Sequence, residues 1–217
     1  MGRLYIANDV ESAGGKLGIH STLSFGAAVI TAEKITFADY WERGLVFYTE
    51  LRPDPSAYDL EAMNVSCSQL ICLEEVKLKD PQFDSTSPQF DPTEVLRLME
   101  NNCEEPLSAM KRFNSWIKNI RNGEEKIVGV TDAVFFGGSR IDLCFGLFYQ
   151  GKSPYGWSGL DLDSVYRGYV RDAQASLKNL GVPDERKKPH RADHDAVSLA
   201  QVARVLLFEK MGWPSSV

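Results

Sequence analysis

Five residues carry chemistry that the rest of the chain must be folded to collect. Asp9 and Glu11 stand two apart in RLYIANDVE. In a strand, that period puts both carboxylates on one face. Two carboxylates so close resist joint ionisation unless a cation lies between them. The same pair also suits a solvated strand end. Asp142 lies in GGSRIDLCFGLF, three residues after Ser139. This S-x-x-D reads either as a capping pair at a helix start or as a third carboxylate ligand, and Asp161 and Asp163 in GLDLDS are rival acids. His190 and Asp195 fall in HRADHDA. On one regular helix, five steps would set them about 140° apart. His190 therefore belongs to a loop set by Pro189 and Asp195 to the helix that follows, from where both can face one cleft. Carboxylates that hold divalent ions, beside an imidazole that titrates near neutrality, suit metal-assisted hydrolysis.

These residues need strands and helices to position them. Residues 3–11 alternate as a strand, and two more strand-like runs follow around 23–31 and 45–51, with Pro53 and Pro55 ending the third. Short turns between them predict an antiparallel meander. Residues 57–73 read as a helix or mixed segment. Residues 77–92 hold three prolines and read as a long functional loop. Asp91-Pro92 opens a helix through Met99, and Pro106 opens another. In this second helix Leu107, Met110, Phe113, Ile117 and Ile120 share the core face. Ile127–Phe136 reads as a strand, Ser139–Tyr149 as a helix and Leu160–Leu162 as a short strand. Helical runs follow at 164–181 and 193–211. Strands first and alternation later predict an α/β chain with a mixed sheet. Residues 1–217 make one domain, with a loop-helix insert around 77–122.

In its order of motifs, Asp9-Val10-Glu11, then Asp142, then His190-x-Ala192-x-x-Asp195-Ala196, the chain resembles the DEDD 3′→5′ exonuclease superfamily in its histidine-bearing DEDDh branch. Three positions depart from the family pattern: Asn8, Ser12 and Gly138. The resemblance implies a ribonuclease H-like fold, an antiparallel three-stranded meander plus parallel strands flanked by helices. It implies a metal-dependent exonuclease that releases nucleoside 5′-monophosphates from a 3′ end of RNA or single-stranded DNA. Two divalent cations, Mg2+ or Mn2+, would be held by Asp9, Glu11, Asp142 and Asp195, and His190 would be the general base. Homodimers are common in the family, so a homodimer is a further expectation. The segment from the Pro-rich loop through KRFNSWIKNI resembles the insert of a phage-type and bacterial exoribonuclease-like branch. A catalytically silent nucleic-acid- or protein-binding module on the same fold is the alternative.

Asp plus Glu outnumber Lys plus Arg by 30 to 24, for a net charge of -6. That excludes a broadly basic nucleic-acid coat, so contacts must be local. Arg186, Lys187, Lys188 and Arg191 surround His190 and could guide phosphates. Ser12, Ala13 and Gly14 follow the strand carboxylates and could approach the terminal nucleotide. Phe83, Phe90, Tyr155 and Trp157 lie in loops, free to stack on bases or pack there. His194 reads as solvent-facing and His20 as structural. No apolar run is long enough for a bilayer span, and no membrane partner is expected. The N-terminus lacks a signal-peptide layout. Cys67, Cys72, Cys103 and Cys144 form no CxxC pair, which argues for thiols over a zinc knuckle. A cytoplasmic chain is expected.

Overall fold

Asp9 and Glu11 ride on the central strand of a five-stranded mixed sheet. The computed structural model describes residues 2–54, 56–123, 125–149, 151–157 and 159–214. Pro55, and Ser158 within the 151–159 loop, lie outside the described residues. In chain order the elements are β1 (Arg3–Ser12), β2 (Thr22–Val29), α1 (Asp39–Glu42), β3 (Val46–Glu50), α2 (Leu60–Ser66), α3 (Pro92–Asn102), α4 (Pro106–Ile120), β4 (Lys126–Thr131), α5 (Ser139–Cys144), β5 (Gly159–Asp161), α6 (Leu162–Val170) and α7 (Ala192–Arg204). The sheet order is β3-β2-β1-β4-β5. β1, β2 and β3 pair antiparallel, whereas β4 pairs parallel with β1 and β5 parallel with β4. The ribonuclease H-like mixed sheet expected from the sequence is therefore present.

Alternation along β1 divides the core. Leu4, Ile6 and Val10 face one layer with Phe113 and Ile117 of α4 and Ile141 of α5. Tyr5 and Ala7 face the other with Leu162, Tyr166 and the α7 residues Ala196, Val197 and Ala200. A third cluster, Met63, Leu73, Val95 and Met99 among its members, joins α2 and α3 beyond the end of β1. Leu107, expected in the core, is 40% exposed; Ala109 is buried instead.

Several boundaries shift for local reasons. β4 stops at Thr131, not at Phe136, because its β5 partner ends at Thr131↔Asp161. The Val134 N–H then donates to the Asp161 carboxylate at 3.0 Å, and residues 134–138 coil into a π-helical turn. The helix expected to 181 ends at Arg171 in the left-handed region, with a 3-10 turn at Leu177–Leu180 afterwards. The 77–92 loop is stitched by aspartates: Asp80 accepts from Gln82 N, Asp84 from Thr86 N, and Asp91 caps α3 through Thr93 N. These local bonds satisfy backbone donors that a long loop would otherwise leave to water. No helix among the described residues is long and apolar enough to cross a membrane.

Candidate active site

The β1 carboxylates meet the start of α7 because Gly26 lets them. In the β1–β2 ladder Asp9 pairs with Gly26. A Cβ on Gly26 would lie 2.1 Å from the carbonyl carbon and oxygen of Ala192 and 2.4 Å from Asp193 N. The α7 backbone thus rests directly on β2, a contact that only glycine permits. Gly26→Ala is expected to destabilise the chain by about 1–3 kcal/mol through overpacking. It should also move Asp195 off Asp9; thermal unfolding and activity of the variant check both. A register shift between Glu11 and Ser12 marks a β-bulge at the carboxylates, a feature common beside active sites.

Glu11, His190 and Asp195 each offer a ligand atom within 4.8 Å of the other two. The His190 backbone N–H donates to Asp195 Oδ2 at 3.0 Å, and His190 itself sits at φ 64. A non-glycine residue in the left-handed region costs roughly 1–2 kcal/mol, and such strain concentrates at functional sites. Asp9 lies beside them with Oδ2 buried and without a hydrogen-bond partner. Burial, then Glu11, Asp195 and Asp132, raise the Asp9 carboxyl well above its ordinary value. Burial pushes Glu11 up to about 8, against a hydrogen bond from Ser66 and with help from Asp195. Burial also raises Asp195, partly offset by Arg186 and His190. An orphaned buried carboxylate oxygen among acids that repel one another fits a hard divalent cation.

No protein-family model matches the chain. The chain is 25% identical over 194 residues to the Escherichia coli 3′-5′ DNA exonuclease Cap18, covering 89% of this chain and 84% of that protein. The nuclease domain of 3′hExo, a DEDDh family member solved bound to rAMP, has the same fold. Its TM-score is 0.64 at 13% identity, over 98% of this chain and 94% of that one. The cell-death related nuclease CRN-4 superposes with a TM-score of 0.63 at 13% identity, over 96% and 64%. The likeness to Cap18 and the fold shared with 3′hExo support a DEDDh-type 3′→5′ exonuclease.

The other expected site residues divide. Asp142 is exposed on α5 and lines a cavity of about 300 Å3 with Asn8, Ser139 and Tyr155. Asn8 points to the face of β1 opposite Asp9, and among the described residues no interaction joins Asp142 to Asp9, Glu11 or Asp195. Asp161 caps α6 through Ser164 N, and Asp163 pairs with Arg167. The acid that does reach Asp9 is Asp132, just beyond β4. The parallel register runs to Ala7↔Val130; two residues further it sets Asp132 opposite Asp9 on the same face. Asp132 is exposed at its rim, yet its carboxyl is raised by desolvation first and by Asp163 and Asp161. The sequence signal was Val128-x-Val130-x-Asp132, in step with Tyr5-x-Ala7-x-Asp9.

The basic cluster is mostly spoken for. Arg191 makes two 2.7 Å bonds to buried Asp193 and lies over the Tyr48 ring. Lys188 pairs with Glu74, and Arg186 with Asp184 and Asp195. Ser12, Ala13 and Gly14 are buried, and their polar groups turn inward. Ser12 Oγ donates to Gly14 O, Ala13 N donates to Ser21 O, and Ala13 O accepts from Asp59 N. Arg140, 1% exposed, donates to the carbonyls of His20 and Gly14 and so ties this loop to α5. Tyr155 is not free to stack, since its hydroxyl donates to Asn8 Oδ1; Phe83 and Phe90 pack on the third cluster. Trp157 stands wholly in solvent. His194, expected in solvent, is buried between Phe37 and Trp41.

The raised carboxyl of Glu11 has a consequence for stability. Its proton is released at 4.5 in the unfolded chain and near 8 in the fold. The folded state therefore binds that proton more tightly, and its contribution is full below the lower value and lost as pH rises through the upper. In chelator, the unfolding temperature is expected to fall as pH rises across this range. Mg2+ or Mn2+ should restore most of it at the alkaline end, as calorimetry would record.

Proposed function

We propose that the chain removes nucleotides from the 3′ end of single-stranded DNA, with divalent cations held by Asp9, Glu11, Asp132 and Asp195. The observation that carries this reading is the convergence of these carboxylates and His190 around an unpartnered Asp9 oxygen. DNA is favoured over RNA by the likeness to Cap18, a 3′-5′ DNA exonuclease, over most of both chains. Two cations, Mg2+ or Mn2+, would neutralise the scissile phosphate and acidify the attacking water. Asp9 is central among the carboxylates and would face both ions; Glu11 and Asp195 would hold one and Asp132 the other. His190, beside Glu11 and Asp195, would take the proton from that water, a role for which histidine is well suited. The Asp195 carboxylate accepts the His190 N–H and so holds base and ligand in one geometry. Cleavage of the P–O3′ bond would leave a nucleoside 5′-monophosphate. We place this chemistry in the cytoplasm, a location supported by four cysteines that are all unpaired thiols.

His190→Ala is expected to lower kcat about a hundredfold while leaving Mn2+ affinity nearly unchanged. Near-normal turnover would remove the histidine from proton transfer. To test the substrate, products from matched DNA and RNA oligonucleotides would be resolved by chromatography with Mg2+, Mn2+ or EDTA. Deoxynucleoside 5′-monophosphates formed faster than their ribose counterparts, and only with cation, would support the reading. A preference for RNA would overturn the sugar choice, and bound oligonucleotide left uncut would favour a binding module.

A further inference from the structure

We propose that Glu50, Cys72 and Cys103 form a second cation site, specific for a thiophilic divalent ion such as zinc, beside the catalytic face. This goes beyond the exonuclease reading and does not depend on it. The three residues come from the end of β3, the turn at Ile71–Leu73 and the C-terminal end of α3. Their ligand atoms all lie within 4.8 Å of one another, and all three residues are half-buried. Two thiolates and a carboxylate suit zinc far better than magnesium, and a water from the open side would complete a tetrahedron.

The site is built rather than incidental. Glu50 accepts from the Tyr48 hydroxyl at 2.6 Å, from Ile71 N at 2.5 Å and from Cys72 N at 2.9 Å. Three donors fix its orientation, as outer partners of ligating carboxylates do. They leave lone-pair capacity on Oε2, the oxygen that also bonds the Cys72 backbone. Glu104 N donates to Glu50 O at 3.0 Å and Cys103 N to Met99 O at 2.9 Å, which pins the backbone carrying Cys103 against β3. No cationic side chain pairs with Glu50 among the described residues, so a half-buried carboxylate faces two thiols without a counter-charge. Binding would release the thiol protons to solvent and leave sulfur at the same oxidation state.

The position gives the ion something to hold. Glu11 pairs with Ser24, and Ser24 with Glu50, so the two sites share a sheet face roughly 10 Å apart, two strand spacings. Glu74, two residues after Cys72, pairs with Lys188 next to the His190 turn. An ion at Glu50, Cys72 and Cys103 would staple β3, the 71–77 turns and α3, and so brace the segment that clasps the catalytic loop.

The test uses the full chain, reduced and freed of metal, titrated with Co2+ and then Zn2+. A thiolate-to-cobalt charge-transfer band that saturates at one equivalent, and that one equivalent of Zn2+ displaces, is expected. Asp9→Asn should keep the band, because the catalytic carboxylates and histidine contribute no sulfur. Cys72→Ser and Cys103→Ser should lose it and weaken zinc binding by about a hundredfold or more. A wild-type cobalt complex with no thiolate band would overturn the proposal. So would a Cys72–Cys103 disulfide that forms in air equally well with zinc present. Either result leaves Mg2+- or Mn2+-dependent cleavage untouched, so failure here is separable from failure of the exonuclease reading.

Discussion

Asp9→Asn is expected to cut exonuclease turnover by roughly three to four orders of magnitude, equivalent to about 4–5 kcal/mol of transition-state stabilisation. The same change should raise the unfolding temperature of the cation-free protein. Both effects have one cause. Asp9 is the acid that every other carboxylate of the cluster repels, and its Oδ2 has no partner. The neutral amide removes that repulsion and needs no counter-charge, but it cannot hold a divalent ion in the way a carboxylate does. The gain in cation-free stability should therefore come with a loss of stabilisation by Mn2+. A variant less stable than the parent in chelator would show that the buried charge is compensated by something other than a bound cation.

Asp132→Asn is expected to lower turnover by two to three orders of magnitude, about 3–4 kcal/mol, whereas Asp142→Asn should stay within about threefold of the parent, the scatter usual for an exposed substitution. Asp132 follows β4 on the face that carries Asp9, and its charge acts on the Asp9 carboxyl. Asp142 lies over the cavity next to Asn8 and Tyr155, on the opposite side of the sheet. Turnover of the two variants under saturating Mn2+ decides the matter. A large loss in Asp142→Asn with Asp132→Asn nearly intact would return the third carboxylate to α5 and require that helix to rotate when substrate binds.

Local pattern carried much of the fold into the sequence. Alternation in β1, short turns between the first strands and the three- and four-residue spacing of α4 each depend on neighbours a few residues away, and each element formed. Asp9 and Glu11 share a strand, and His190 lies five residues before Asp195 at the start of α7, so their proximity was legible too. Asp132 was not, because its position depends on a parallel register with a strand far away in the chain. A local S-x-x-D drew attention to Asp142 instead. The basic cluster reads as free because its acids are distant or ambiguous in sequence: Glu74 comes from the turn after Ile71–Leu73 to meet Lys188, and Asp193 sits at a helix start where a solvated carboxylate is ordinary. His194 differs from its expected solvent exposure for the same reason, since Phe37 and Trp41 arrive from the opposite end of the chain. Charge and aromaticity are visible in a sequence; what they are paired with is a tertiary fact.

The most direct test of the central claim is a time course on a 5′-labelled single-stranded DNA, run with Mn2+ and with excess EDTA, for the parent chain and Asp9→Asn. The expected result is a ladder that shortens stepwise from the 3′ end with Mn2+, stops in EDTA and is absent in the variant. A ladder that persists in EDTA or in Asp9→Asn would contradict a cation-dependent cleavage centred on these carboxylates.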